Sequence, residues 1–184
     1  MAMEGKTKKI ALCALFVALH IVGGFIRIPM PFAPITLQAQ IALIAGVLLG
    51  AKWGGLSVLL YLLLGLLGLP IFSGGGGFSY VLQPTFGYLL GFVVAAFVSG
   101  GIARSGTITY RRLGASYAAG VLLIYLLGTT YALGILTLYL HETVHFGEFV
   151  LAFLLIPLPK DILLTVLVLP LSKRLSAYVL SNSL

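Results

Sequence analysis

The sequence predicts an all-α integral membrane protein, built as a bundle of six transmembrane helices. Its 184 residues are 60% hydrophobic and 8% charged, whereas soluble globular domains carry about 25% charged residues. The apolar residues are grouped into long runs separated by proline, glycine and charged residues. Such runs favour helices, because a helix satisfies every backbone hydrogen bond within itself, as lipid requires. We expect residues 1–184 to form a single transmembrane domain.

The apolar runs are expected to become the transmembrane helices in chain order. They cover residues 9–28, 38–50, 54–69, 84–103, 115–139 and 159–180. Proline helps to place the breaks, since it cannot continue a helix: RIPMPFAPITLQ precedes the second run and GLP ends the third. The run FGEFVLAFLLI is too short to cross a hydrocarbon core of about 30 Å. It is predicted to form a short extra helix near residues 146–156, at the outer surface.

The basic residues predict the orientation of the bundle. If both termini are cytoplasmic, all but two of the eleven Lys and Arg residues fall on the cytoplasmic side, as the positive-inside rule requires. The two exceptions are Arg27 and Lys160. A net charge of +7 could suggest a nucleic-acid partner, but the cytoplasmic position of the basic residues explains it without one. The conforming residues are Lys6, Lys8, Lys9, Lys52, Arg104, Arg111, Arg112, Lys173 and Arg174.

Three outward-facing segments are unusual for plain connections between helices. They cover residues 27–37, 70–83 and 140–158. The first contains Pro29, Pro31 and Pro34, and the second contains four consecutive glycines at 74–77. Proline restricts the backbone, and glycine lets it approach a ligand closely. These features favour a ligand site open to the outside, although plain connectors remain the alternative.

The segment HETVH, residues 141–145, matches the His-Glu-x-x-His pattern of zinc metalloproteases. That chemistry needs both histidines on one face of a helix, a third ligand, and the glutamate as general base. His141, Glu142 and His145 have the spacing, and Glu148 or Asp161 would have to supply the third ligand. The motif lies in an outer connector, where His and Glu are ordinary solvated residues. Zinc catalysis is therefore the unfavoured alternative, and no catalytic residue or metal ligand is assigned.

Lys160 and Asp161, in PKDILL, are charged residues at the outer end of the last apolar run. An ionisable residue within a membrane helix indicates function by default. The preceding prolines predict a defined helix start with Asp161 in the first turn, where the helix dipole favours a negative charge. We therefore expect Asp161 to contact a substrate. The alternative is a residue solvated at the headgroup level.

Ala14 and Ala18 lie four residues apart in the first apolar run. Small residues at this spacing let a second helix approach closely. The partner helix could belong to another protein or to this same chain.

The middle of the chain, residues 33–100, resembles the BioY family, the biotin-specific substrate-binding subunits (S components) of energy-coupling factor (ECF) vitamin transporters. The resemblance is carried by PITLQ, GLSVLLYLLLGLLGLPIFSGGGG and PTFGYLLGF. It continues through FGEFVLAFLLIPLPKD, so it covers almost the whole chain. The Ala14 and Ala18 pair is similar to the family's small-residue feature, which docks on the transmembrane coupling subunit.

The resemblance implies a transport subunit rather than an enzyme, with no cofactor of its own. Such subunits are six-helix proteins of the bacterial cell membrane, crossing it several times, with a vitamin pocket near the outer surface. They bind biotin tightly and topple in the membrane to deliver it inside. A transmembrane coupling subunit and two ABC-type ATPases supply the energy, which agrees with the absence of a nucleotide-binding motif in this sequence.

The resemblance also implies which residues contact biotin. The ureido group offers two N–H donors and a carbonyl, the fused rings are apolar, and the tail ends in a carboxylate. Asp161 matches the acidic family position that would accept the ureido N–H groups, and Thr85 matches a polar position. Gln38 can donate and accept hydrogen bonds. Gly76 and Gly77 are expected to bring the backbone close to the ligand. Phe78 and Tyr88 are expected to form aromatic walls of the pocket.

The sequence departs from the family pattern at one position. Relatives commonly carry a lysine three residues after the aspartate, where this chain has Leu164. Lys160 directly precedes the aspartate. On a helix, positions 160 and 164 point within about 40° of each other and lie about 6 Å apart along the axis. Lys160 could therefore contact the vitamin carboxylate or pair with Asp161. Arg27 is the alternative cation for the carboxylate.

Other functions remain open on sequence grounds. An S component for a different vitamin is the nearest alternative, although the middle block is of the biotin type. The zinc protease is the alternative from a different class. A channel or self-sufficient carrier is not favoured, because no inverted repeat or polar line through the bundle is evident.

Overall fold

The described backbone is mostly helical. The computed structural model describes residues 2–30 and 34–181, with side chains over 6–30 and 34–178; the predicted loop residue Pro31 lies outside them. Within these ranges the α-helices are α1 Ala2–Phe25, α2 Gln38–Leu49, α3 Ala51–Leu66, α4 Phe86–Ala103, α5 Tyr110–Gly134, α6 Phe146–Val150 and α7 Pro157–Ser181.

Shorter elements complete the connections between these helices. Strands β1, Arg27–Ile28, and β2, Ile35–Thr36, pair antiparallel with Arg27 opposite Thr36 and Ile28 opposite Ile35. A 3₁₀ helix covers Phe78–Leu82. One π-helical turn, Ile135–Tyr139, extends α5, and another, Leu151–Leu155, extends α6 towards α7.

Each predicted apolar run forms a helix, and the short helix begins at Phe146 within the predicted range. Within the described ranges, the helical stretches long and apolar enough to cross a membrane are Lys6–Phe25, Phe86–Ala103, Tyr110–Tyr139 and Phe146–Tyr178. The apolar helices α2 and α3 are shorter, at 12 and 16 residues. The structure therefore supports the conclusion that this is a membrane protein, whereas the count of six transmembrane helices stays a prediction.

Helix α2 lies at the centre of the bundle. Ten of its 12 residues are buried, and it packs against α1, α3, α4 and α7. A Cβ at Gly46 would collide with the Ala96 carbonyl oxygen of α4. Since lipid tails are as apolar as leucine, helices in a membrane associate through such close packing of small residues.

A single glycine joins α2 to α3. Gly50 has φ = +83°, which only glycine adopts readily. Its N–H donates to the Gly46 carbonyl oxygen at 2.8 Å, which closes the last turn of α2. The chain therefore reverses without an intervening loop, and Lys52 follows immediately in α3.

The starts of α2, α4 and α7 meet at one end of the bundle, next to β2, because residues from all of them line the same cleft. The basic residues that end α4 and begin α5 therefore lie towards the opposite end. There the Arg104 guanidinium donates to the Leu48 carbonyl oxygen, and the Lys173 ammonium lies 3.9 Å from the centre of the Tyr110 ring.

Candidate ligand-binding site

A cleft opens where β2 meets the first turns of α2, α4 and α7 and the middle of α5. Its empty volume, including the space open to solvent at its mouth, is about 590 Å³. Apolar and aromatic side chains form most of the wall. Asp161 and Lys160 are the only charged residues among the described residues that line it. We call it the Asp161 cleft.

The Asp161 carboxylate is buried and held from several sides. The residue as a whole, Asp161, is 3% exposed. The Tyr125 hydroxyl of α5 donates to Oδ2 at 2.6 Å, and the Lys160 ammonium lies 2.6 Å from Oδ1. Gln40 Nε2 of α2 contacts Oδ1 at 3.4 Å and the Asp161 carbonyl oxygen at 3.0 Å. The carboxylate is thus fixed in orientation, and one lone pair on Oδ2 is left for a ligand donor.

One detail of the Asp161 prediction is wrong. We expected this residue in the first turn of its helix, but α7 begins at Pro157, so Asp161 is the fifth residue. Proline fits the first helical turn, because N–H groups there have no partner within the helix. The charge of Asp161 is therefore balanced mainly by the Lys160 ammonium rather than by the end of the helix, and the Tyr125 hydroxyl adds a hydrogen bond.

Sequence reasoning missed Gln40 and Tyr125. Gln40 lies in the apolar run QAQIALIAG and Tyr125 in LLIYLLG. A polar side chain in such a run needs a partner, since leaving it unpaired in an apolar environment is costly. That rule could have marked both residues as partners of the charged residues on α7.

Lys160 links α7 to the β-ribbon as well as to Asp161. Its ammonium donates to the Thr36 carbonyl oxygen of β2 at 2.8 Å, while lying 2.6 Å from Asp161 Oδ1. Its side chain is 25% exposed. Of the two roles considered for Lys160, the structure shows the pairing with Asp161.

Gln38 lines the cleft, but its amide is engaged with protein neighbours. Nε2 donates to the Tyr61 hydroxyl at 2.7 Å and to the His20 carbonyl oxygen at 3.2 Å. Its Oε1 lies 3.4 Å from the Thr36 hydroxyl. Gln38 therefore holds α1, α3 and β2 together around the cleft, and a direct ligand contact stays a prediction.

Thr85 and Tyr88 also line the cleft, near the start of α4. The Tyr88 hydroxyl donates to the Phe153 carbonyl oxygen at 2.5 Å. Its ring meets the Tyr125 ring edge to face, with centroids 5.9 Å apart. Tyr88 thus offers a ring rather than a hydroxyl to a ligand, whereas the half-buried Thr85 offers a polar edge.

Gly76, Gly77 and Phe78 do not line the Asp161 cleft. A Cβ at Gly76 would collide with the Leu69 carbonyl oxygen, and the Gly77 N–H donates to the Gly65 carbonyl oxygen at 2.7 Å. The structure uses both glycines to pack this loop against the end of α3. Phe78 is 78% exposed. A ligand contact by these three residues stays a prediction that this geometry does not favour.

The HETVH segment is not helical. Residues 141–145 form an irregular connection between the end of α5 and α6, and His141 has φ = +53°. His141 and His145 are therefore not one helical turn apart, as the zinc-protease pattern requires. No cluster of three His, Cys, Asp or Glu residues within the described ranges could hold a metal ion.

Ala14 and Ala18 are both exposed on α1. Their face of the helix is therefore not covered by another described helix of this chain. Of the two partners considered for this pair, a helix of a second protein remains compatible with the exposure.

Comparisons with known proteins identify the family. The family model described as "BioY family" matches residues 1–180. A probable biotin transporter BioY of Lysinibacillus sphaericus is 45% identical over 68% of this chain and 64% of its own length. One of Pyrococcus horikoshii is 43% identical over 66% of this chain and 72% of its own length.

A solved structure agrees with these sequence relatives. The S-component for biotin from an ECF-type ABC transporter matches with a TM-score of 0.79 and 27% identity. The match covers 95% of this chain and 94% of that one. The chain belongs to the BioY family.

Proposed function

We propose that this protein is the biotin-binding membrane subunit of an ECF-type vitamin uptake transporter. It captures biotin at the extracellular side and delivers it inward together with an energising ATPase module. The observation that carries the proposal is the buried, oriented Asp161 carboxylate in a cleft lined mostly by apolar and aromatic side chains, in a chain of the BioY family.

The chemistry of the ureido group fits the pair formed by Asp161 and Lys160. Each edge of a cyclic urea presents an N–H donor directly beside the carbonyl acceptor. The Asp161 carboxylate offers an acceptor at Oδ2, and the Lys160 ammonium, which lies 2.6 Å from Oδ1, offers a donor beside it. In the proposed complex, Asp161 accepts the N–H and Lys160 donates to the carbonyl. Hydrogen bonds to charged groups of this kind contribute about 1.5–3 kcal/mol each.

The rest of the cleft suits the fused rings of biotin. Leu89, Phe92 and Ile124 supply an apolar wall, and Tyr88 adds the face of a ring. Thr85 and Gln38 are proposed as polar contacts at the edge of the cleft. An apolar wall with a few convergent polar groups is the usual composition of a small-molecule site.

The proposed topology has six transmembrane helices, both termini in the cytoplasm, and residues 1–184 forming one domain. The short length of α2 is compatible with it, because ten of its 12 residues are buried within the bundle, whereas α3 has seven of its 16 residues buried. The cleft then opens to the outside and the basic residues near Arg104 face the cytoplasm. The location proposed is the bacterial cell membrane, crossed several times.

The proposed partners are a transmembrane coupling subunit and two ABC-type ATPases. The exposed Ala14 and Ala18 provide small side chains on α1 that a helix of the coupling subunit can approach closely. Biotin and membrane lipid are the remaining proposed partners.

Uptake of radiolabelled biotin tests this function. The assay uses cells without their own biotin transporter, carrying this chain together with the coupling subunit and ATPases. We expect ATP-dependent uptake, lost with an Asp161→Ala variant that still reaches the membrane. Uptake of another vitamin with no uptake of biotin would contradict the proposal.

A further inference from the structure

A second cleft lies directly outside the Asp161 cleft. We call it the Arg27 cleft; its wall includes Arg27, Ser73, Tyr80, Gln83 and Thr85. Its empty volume is about 780 Å³, including space open to solvent. Pro34, Ser73, Tyr80 and Thr85 line both clefts. A long ligand can therefore begin in one cleft and end in the other.

The two clefts differ in charge. The Asp161 cleft contains one carboxylate and one ammonium, which neutralise each other. Among the described residues lining the Arg27 cleft, Arg27 is the only charged one. Arg27 is exposed, and its guanidinium has no hydrogen bond or ion pair with any described residue. A positive charge without a counterion therefore borders the outer part of the combined space.

The β-ribbon fixes where this charge begins. Arg27 is paired with Thr36 across the ribbon, and the Thr36 carbonyl oxygen accepts from the Lys160 ammonium. Paired residues in antiparallel strands have Cα atoms about 4.5–5.5 Å apart. Arg27 thus lies on the strand next to Thr36, the residue that accepts from Lys160. Its long side chain lines the Arg27 cleft.

We propose that Arg27, rather than Lys160, binds the carboxylate of the ligand. The inference depends on the proposed function, in which the ureido edge occupies Asp161 and Lys160. In an extended conformation the fused rings and the methylene chain hold the carboxylate at the opposite end of the molecule from the ureido edge, so one ammonium does not contact both ends. The tail extends past Thr85 and Tyr80 into the Arg27 cleft, where a guanidinium can bind a carboxylate through two parallel hydrogen bonds.

Binding of biotin and of biotin methyl ester separates the two cations. The ester keeps the ureido rings and loses the negative charge. The purified protein should bind biotin about tenfold more tightly than the ester, a difference of about 1.4 kcal/mol. Arg27→Gln should remove this preference while leaving the affinity for the ester unchanged. Lys160→Gln should weaken the binding of both ligands and keep the preference.

Two further variants serve as controls. Arg111→Gln removes an exposed charge at the start of α5, remote from both clefts, and should change neither affinity. Arg27→Lys keeps the charge and should keep most of the preference, which would show that Arg27→Gln acts through charge rather than through folding.

The inference is overturned if Arg27→Gln retains the preference for biotin, if Lys160→Gln abolishes it, or if the unaltered protein does not distinguish the two ligands. If the unaltered protein binds neither ligand, the proposed function fails and the inference fails with it. Biotin binding without the Arg27 effect would reject the inference alone.

Discussion

The hydroxyl of Tyr125 should control biotin binding through the orientation of Asp161. It donates to Asp161 Oδ2 at 2.6 Å, from a residue that is 6% exposed. Tyr125→Phe removes this one oxygen and keeps the ring that lines the cleft. The carboxylate then keeps only its contacts at Oδ1, and it can rotate before the ligand arrives.

The expected magnitude follows from the lost orientation. Immobilising a side chain on binding costs about 0.5–1.5 kcal/mol, which corresponds to roughly a 2- to 12-fold increase in the Kd for biotin. The loss is smaller than for removal of the carboxylate itself, because Lys160 and Gln40 still contact Oδ1.

Tyr117→Phe is the matched control. Tyr117 lies on the same helix, is fully buried, and its hydroxyl is 2.6 Å from the Ser172 hydroxyl, but it does not line the cleft. Both variants lose one buried hydrogen bond, so both should lower thermal stability in detergent. Only Tyr125→Phe should change the Kd, measured by equilibrium binding of radiolabelled biotin. An unchanged Kd for Tyr125→Phe, or equal increases in both variants, would show that the Tyr125 hydroxyl does not orient Asp161 for binding.

Three other substitutions test separate parts of the account. Asp161→Asn should raise the biotin Kd at least tenfold, because a hydrogen bond to a charged acceptor is lost; an equilibrium binding curve like that of the unaltered protein would refute the assignment. Ala18→Leu should leave biotin binding intact but reduce co-purification with the coupling subunit, and full recovery of the complex would count against this interface. Gly46→Ala should lower the melting temperature, because its Cβ would collide with the Ala96 carbonyl oxygen. Gly101→Ala is the control and should not lower it, because a Cβ there meets no atom within 4 Å. Equal melting temperatures of the two variants would contradict the packing argument.

The sequence was sufficient to locate the helices and Asp161. Apolar runs define membrane helices through the backbone's need for internal hydrogen bonds, and all six runs are helical in the structure. Asp161 stood out because a carboxylate in an apolar helix is rare and costly. Both predictions depend on local composition alone, which a single sequence contains.

The partners of Asp161 could not be predicted in the same way. Tyr125 is 36 residues away in the chain and Gln40 is 121 residues away, and they meet Asp161 only because α2, α5 and α7 pack together. The glycines at 76 and 77 show the same limit: a missing Cβ can accommodate a ligand or a neighbouring carbonyl group, and the structure places the Leu69 carbonyl oxygen against Gly76. In HETVH the spacing of the motif was right, but the required helix is absent.

Calorimetric titration of biotin into the purified, detergent-solubilised protein measures whether this chain alone binds biotin. We expect saturable binding with one biotin per chain, without any partner subunit, since the described residues of this chain form the cleft by themselves. Absence of saturable heat with biotin, from protein that remains folded and monodisperse, would contradict the claim that this chain is a biotin-binding subunit.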